Sequence, residues 1–238
     1  MKNNKFVAIY QDIADQIQSG AIKPGTKLLS EHELGEKYDA SRETIRKALN
    51  LLSQNGYIQK VRGKGSIVLD VSKLNFPVSG LISFKELAGK MGKKSRTIVE
   101  ELHLIKPDDY LRAQLNATTK DEIWKVVRVR EIDGEKIILD KDFFNKRWVP
   151  SLTKEICEDS IYEYLENELG IHISFAKKEI IVEEPTEEDK KHLDLEGFHN
   201  VVIVKNHVYL DDASIFQYTE SRHRPDKFRF VNFARRSL

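Results

Sequence analysis

Ser41-Arg42-Glu43-Thr44-Ile45-Arg46 opens a stretch running to Asn55 in which Ile45, Leu49 and Leu52 recur at i, i+4 and i+7. That period predicts an amphipathic helix with one apolar face turned to a core. Its first turn holds Ser41, Arg42, Thr44 and Arg46, side chains that donate hydrogen bonds to phosphate oxygens and to base edges. A basic helix face is as often merely solvated, so the flanking sequence decides between the two readings.

Upstream, Ile9, Ile13 and Ile17 recur every fourth residue, with Phe6 and Tyr10 widening the stripe, so a helix is expected over Phe6–Ser19 with Gly20 as its stop. Lys23-Pro24-Gly25-Thr26 forces a turn. Ser30-Glu31-His32-Glu33 has the spacing of a capping box and starts a short second helix that reaches about Tyr38. Downstream, Asn55-Gly56 ends the opening helix. Tyr57–Val61 and Ser66–Leu69 then read as two strands joined by Arg62-Gly63-Lys64-Gly65. Three helices followed by a hairpin make a winged helix-turn-helix, in which the third helix enters the major groove and the wing tip touches a neighbouring groove or backbone. Gly63 and Gly65 let the wing backbone approach DNA, and Arg62 and Lys64 supply charge.

Composition agrees with a local nucleic-acid patch rather than a general one. Lys and Arg number 39 and Asp and Glu 38, a net charge of +1. Between positions 41 and 64, however, Arg42, Arg46, Lys47, Lys60, Arg62 and Lys64 face Glu43 alone, while Glu183, Glu184, Glu187, Glu188 and Asp189 cluster in the other half. Such asymmetry implies two parts with different partners. With 40% apolar and 32% charged residues the chain suits a soluble globular protein. The single cysteine, Cys157, excludes an internal disulfide and is expected to be structural. The start Met1-Lys2-Asn3-Asn4-Lys5-Phe6 has no signal-peptide pattern and no segment reaches membrane-spanning length, so the expected location is the cytoplasm.

The runs Ile9-Tyr10-Gln11-Asp12-Ile13-Ala14, Pro24-Gly25, Ser30-Glu31, Ser41 to Leu49, Asn55-Gly56-Tyr57 and Gly63-Lys64-Gly65 resemble the N-terminal domain of GntR-type bacterial transcription regulators, over residues 8–69. Leu29 stands where the family usually has proline before the serine-glutamate cap. The resemblance implies a homodimer on a palindromic double-stranded DNA operator. It places DNA contacts at His32, Arg42, Thr44, Arg46 and the wing tip Gly63 to Gly65, beside Ser30, Ser41 and Arg62 from the elements above.

Residues 71–79, with Phe76-Pro77 breaking any regular element, are read as a linker between a domain at 1–70 and one at 80–238. Strands are expected at Ile123–Arg130, Ile137–Phe144, Lys177–Glu183, Val201–Leu210, Ser214–Ser221 and Phe228–Ala234, with Asp133-Gly134 and Asp211-Asp212 as hairpin turns. Helices are expected at Ser83–Met91, Asp108–Leu115, Ser160–Leu169 and Thr186–Leu193, giving a mostly antiparallel α+β domain. Arg128 and Arg130 lie two apart on one strand and project to one face. They need either an anionic ligand such as phosphate or acids across the sheet, Asp140, Asp142 or Glu220. The helix starts Ser83-Phe84-Lys85-Glu86 and Ser160-Ile161-Tyr162-Glu163 both carry the capping-box pattern, and free N–H groups at such a start suit an anion.

This half is similar to the UTRA effector domain of the HutC-type branch, through Gly80 to Phe84, Trp124 to Arg130, Ser160-Ile161-Tyr162 and Tyr218 to Arg222. The resemblance implies phosphate binding by Ser83, Phe84, Lys85, Arg128, Arg130 and Ser160, with Asp140, Tyr162, Tyr218 and Glu220 for sugar hydroxyls. Extended through Phe216–Arg224 and Asp226–Phe230, it implies a repressor of trehalose use whose effector is trehalose 6-phosphate, another phosphosugar such as glucosamine 6-phosphate being the alternative. The UTRA fold also resembles chorismate lyase. No nucleophile-base pairing, metal-ligand cluster or cofactor glycine motif accompanies that likeness, and His103, His172, His192, His199, His207 and His223 are dispersed, so neither an enzyme nor a metal or other cofactor is expected.

Overall fold

The isoleucine stripe at Ile9, Ile13 and Ile17 forms the buried face of helix α1 (Lys5–Gln18). The computed structural model describes residues 5–70, 84–91 and 94–230. The described residues fall into two compact units, the second lying within Gly80–Phe228.

In the first unit α1 packs with α2 (Glu31–Lys37) and α3 (Arg42–Gln54) around Ile45, Ala48, Leu49 and Leu52 of α3, which are all buried. The turn between α2 and α3 is tight. Asp39 takes φ 46°, the Ala40 N–H donates to Gly35 O at 2.9 Å, and a Cβ on Gly35 would stand 3.2 Å from Ala40 O. The hairpin of β1 (Ile58–Val61) and β2 (Gly65–Val68) closes this core with Ile58 and Val68. Thr26 to Leu28, expected only as the exit of a turn, runs beside β2. Val68 N–H donates to Thr26 O and Leu28 N–H to Ser66 O.

The second unit is built on one antiparallel sheet. Its strands among the described residues are β3 (Ser95–Ile105), β4 (Ile123–Ile132), β5 (Glu135–Asn145), β6 (Ile173–Glu183), β7 (Val201–Leu210) and β8 (Ile215–His223), in the order β3-β4-β5-β8-β7-β6. The helices are α4 (Phe84–Met91), α5 (Asp109–Leu115), α6 (Lys154–Glu158), α7 (Ile161–Asn167) and α8 (Glu187–His192). α6 and α7 pack on one sheet face through Cys157, Ile161, Tyr164 and Leu165 against Val126, Phe144 and Val208. The opposite face meets α5 through Leu111 and Leu115 and the end of α8 through Leu193. A helix-sheet-helix sandwich follows from strict alternation along β4, where Val127 and Val129 face one layer and Val126 and Arg128 the other.

Two expectations are corrected. β3 was not expected, and Phe228–Ala234 was expected as a strand. A three-residue 3-10 turn, Pro225–Lys227, follows β8, and Phe228–Phe230 has no strand pairing; the Phe228 ring lies against His223, centroids 5.0 Å apart. The remainder of that stretch, the linker 71–79 and Ser83 lie outside the described residues.

Candidate functional site

The first candidate surface is assembled by two N-caps and a wing. Ser30 forms the full capping box, its Oγ accepting from Glu33 N–H at 3.3 Å while its own N–H donates to the Glu33 carboxylate at 2.7 Å. Ser41 caps α3 by accepting from Thr44 N–H, and the two hydroxyls lie 2.9 Å apart. These caps fix where α2 and α3 begin; His32, Ser41, Arg42 and Arg46 near those starts are exposed, and Thr44 is half-buried. Arg42 donates to Glu31 at 3.1 Å, an exposed pair that DNA phosphate can displace at little cost.

The wing carries Arg62, Gly63, Lys64 and Gly65, all exposed, with φ of 75° at Gly63 and 96° at Gly65. At those angles a side chain would be strained, and the bare backbone can come close to a duplex. Lys60 of β1 donates to Asn50 of α3 at 2.6 Å and ties the wing to the reading helix. Lys27 lies against Gly65, where an added Cβ would meet its Cε at 3.1 Å. Lys27 therefore joins the basic patch, although no local pattern around Lys27 marks it in the sequence.

The second candidate site lies on the sheet face under α6 and α7. Arg128 and Arg130 are 7% and 4% exposed and share that face with Asp140 and Asp142 of β5 and Gln217, Thr219 and Ser221 of β8 by register. Both arginines have found acids across the sheet. Arg128 donates to Asp142 at 2.6 Å and to Cys157 O at 3.3 Å. Arg130 donates to Asp140 at 2.8 Å and to the Thr97 hydroxyl at 2.7 Å, and its guanidinium lies 4.7 Å from the Phe84 ring centre. Ser221 donates to Asp140 at 2.5 Å, while Tyr162 donates to Gln217 at 2.9 Å and Gln217 to Asp142 at 3.0 Å.

Four buried charges thus cancel inside a connected network. Burial alone would raise the Asp140 carboxyl, but Arg130 and Arg128 outweigh it and hold it below the usual carboxylate range. Burial pushes the Tyr162 hydroxyl well up, so it stays a neutral donor, and it pushes the Cys157 thiol up to about 11. A neutral, buried Cys157 whose carbonyl receives Arg128 fits the structural role expected for it.

Of the effector residues expected, Phe84, Arg128, Arg130, Asp140 and Tyr162 meet in this network. Ser160 is buried as the cap of α7, accepting from Glu163 N–H at 3.2 Å. The Glu163 side chain forms no capping box with it and instead pairs at 2.9 Å with Lys85, which also pairs with Asp159 at 2.8 Å. Tyr218 and Glu220 fall elsewhere. On β8 they alternate with Gln217, Thr219 and Ser221, so they project to the opposite sheet face. There Tyr110 of α5 and Tyr218 both donate to Glu220, at 3.0 and 2.7 Å, and Tyr218 stacks on Phe143. Thr97, Gln217, Thr219 and Ser221 were given no effector-site role in the sequence reading. The even spacing of Asp140 and Asp142 on β5 was the visible sign that both acids line the same face as the arginines.

Among the described residues no group of three His, Cys, Asp or Glu side chains is placed to hold a metal, and no helix is long and apolar enough to cross a membrane. Residues 6–68 match the model of bacterial regulatory proteins of the gntR family, and residues 90–229 match the UTRA domain. The chain is 59% identical over 236 residues to the HTH-type transcriptional regulator TreR of Bacillus subtilis, covering 99% of both chains. It is 29% identical to the mannosyl-D-glycerate transport/metabolism system repressor MngR of Escherichia coli, covering 96% of both. Among solved structures, the effector binding domain of the B. subtilis trehalose repressor covers 60% of this chain and 99% of its own, with 57% identity and a TM-score of 0.56. The possible transcriptional regulator YydK of B. subtilis covers 97% and 99%, with 28% identity and a TM-score of 0.80. Matched along its whole length by regulators rather than enzymes, the chain belongs to the GntR family of bacterial transcription regulators, in the branch that carries a UTRA domain.

Proposed function

We propose that this chain is the repressor of a trehalose-utilisation operon, a cytoplasmic homodimer that grips a palindromic operator and is released by trehalose 6-phosphate. The observation that carries the effector is the neutral buried set Arg128, Arg130, Asp140 and Asp142, in a chain 59% identical to TreR. A sugar phosphate can replace both kinds of partner that this set now supplies to itself. Its phosphate oxygens accept from the guanidiniums, bidentately where geometry allows. Its hydroxyls donate to the two carboxylates the arginines then release. Trehalose without phosphate could satisfy the acids but would leave the arginines with nothing new, so it should bind poorly.

Exchange of these pairs gives binding two discrete states of the network to choose between, as coupling to DNA requires. Allosteric coupling is typically about 1–3 kcal/mol, which here would be a five- to 150-fold change in operator affinity. On the DNA side, the six basic residues of α3 and the wing make a modest monomer footprint, and salt dependence is steep for contacts of this kind. Two copies held together raise the effective concentration of the second reading helix. A thermal-shift panel tests the assignment: trehalose 6-phosphate should raise the melting temperature of the full chain, and trehalose and glucosamine 6-phosphate should not. A response to trehalose equal to that of its phosphate would remove the arginine pair from the effector site. A response to glucosamine 6-phosphate alone would replace the sugar.

A further inference from the structure

Three buried side-chain atoms among the described residues have no hydrogen-bond partner: Arg128 Nε, Asn206 Oδ1 and Arg222 Nη2. Arg222 belongs to the opposite sheet face, where Asp189 at 2.7 Å and Glu183 at 4.0 Å already answer its charge. The other two share the face of the candidate effector site. By register Asn206 of β7 lies beside Thr219 of β8, which lies beside Asp142 of β5, forming one row of polar side chains. Asn206 Nδ2 donates to the Thr219 hydroxyl at 2.8 Å. Turning the amide over would only exchange which of its two polar atoms is left unpaired.

The unpaired atoms ask for an acceptor at Arg128 and, at Asn206, for a group such as a hydroxyl that can meet either end of the amide. A buried polar atom without a partner is costly and is commonly explained by a ligand. β4 and β7 are separated by two strands in the sheet order, and Arg128 is level with Val204, two residues along from Asn206, so three strand spacings and a two-residue offset put the two residues about 16 Å apart. A hexose 6-phosphate anchored at Arg128 falls short of Asn206. A disaccharide 6-phosphate reaches it with hydroxyls of its second ring, passing over Asp142 and Thr219.

We propose that Asn206, oriented by Thr219, reads a hydroxyl of the second sugar ring and so sets the preference for a disaccharide 6-phosphate over a hexose 6-phosphate. The proposal rests on the phosphate lying at Arg128 and Arg130. Calorimetry on the full chain tests it with trehalose 6-phosphate and glucose 6-phosphate. Asn206→Leu should weaken trehalose 6-phosphate at least tenfold and leave glucose 6-phosphate within twofold of the wild type. Asn206→Asp, which keeps an oxygen at the same place, should stay within threefold for trehalose 6-phosphate and decides the matter if glucose 6-phosphate is too weak to titrate. If Asn206→Leu does not fold, Thr219→Val, which unties the amide, should shift the ratio in the same direction. Equal losses for both sugars, or none, or failure of Asn206→Asp to retain binding, would overturn the role of Asn206. Wild-type protein that binds neither sugar phosphate would instead overturn the effector assignment itself.

Discussion

Arg46 and Arg128 are both assigned to anion recognition, and the two units hold them in opposite ways. Arg46 stands exposed on α3, positioned by the Ser41 cap and by a core of Ile45, Leu49 and Leu52 beneath it. Arg128 is buried against the Cys157 carbonyl and Asp142, which also accepts from Gln217. Removing an exposed charge deletes an interaction with a partner, whereas removing a buried one strands its counter-charge in the fold. The proposed DNA surface can therefore change without endangering its scaffold, and the proposed effector pocket cannot, because its binding groups are also its structural ties.

That contrast breaks most visibly at Arg128. Arg128→Met leaves Asp142 buried without its counter-charge, and a loss of about 3–5 kcal/mol from the second unit is expected in urea unfolding. Arg128→Met combined with Asp142→Leu should recover most of that stability without recovering trehalose 6-phosphate binding. A single variant as stable as the wild type would show that the pair is not a structural tie. The converse substitution, Arg46→Ala, should shift the urea midpoint by less than about 0.5 kcal/mol equivalent. Operator affinity in a gel shift should nevertheless fall by about 1–3 kcal/mol, with effector binding unchanged.

A smaller effect follows from His223. Burial pushes it down to about 4 from an ordinary 6.5, so the unfolded chain takes up a proton that the folded chain refuses. Stability is then complete above pH 6.5 and falls as the pH drops from there toward 4, by up to about 1.4 kcal/mol per pH unit. His223→Phe, which keeps a ring against Phe228, should flatten the decline measured by urea midpoints between pH 7 and 5. The smallest effect is at the first cap, where Ser30→Ala should cost about 1 kcal/mol and lower operator affinity only through fraying of α2.

The same contrast explains what could be read in the chain beforehand. Helices α1 to α3 and the hairpin were legible because their signals are local: the isoleucine stripe, the Ser30 box, the Asn55-Gly56 stop and the glycine-basic tip. The pocket depended on long-range register. Arg128, Arg130, Asp140 and Tyr162 come together on one face, whereas Tyr218 and Glu220 project from the other because one residue of parity on β8 separates them from Gln217, Thr219 and Ser221. β3 escaped notice because its pairing with β4 slips between Val99 and Glu101. A bulge there erases the alternation that marks a half-buried strand. Ser160-Ile161-Tyr162-Glu163 has the spacing of a capping box, yet Glu163 is drawn off by Lys85, a residue remote in sequence.

The central claim is that a ligand in the buried pocket governs the exposed reading helix. Fluorescence anisotropy of the full chain on its operator, with and without saturating trehalose 6-phosphate, tests it directly. The dissociation constant should rise by about five- to 150-fold with the phosphosugar and stay unchanged with trehalose. Unchanged operator affinity in protein shown by calorimetry to be saturated would contradict it.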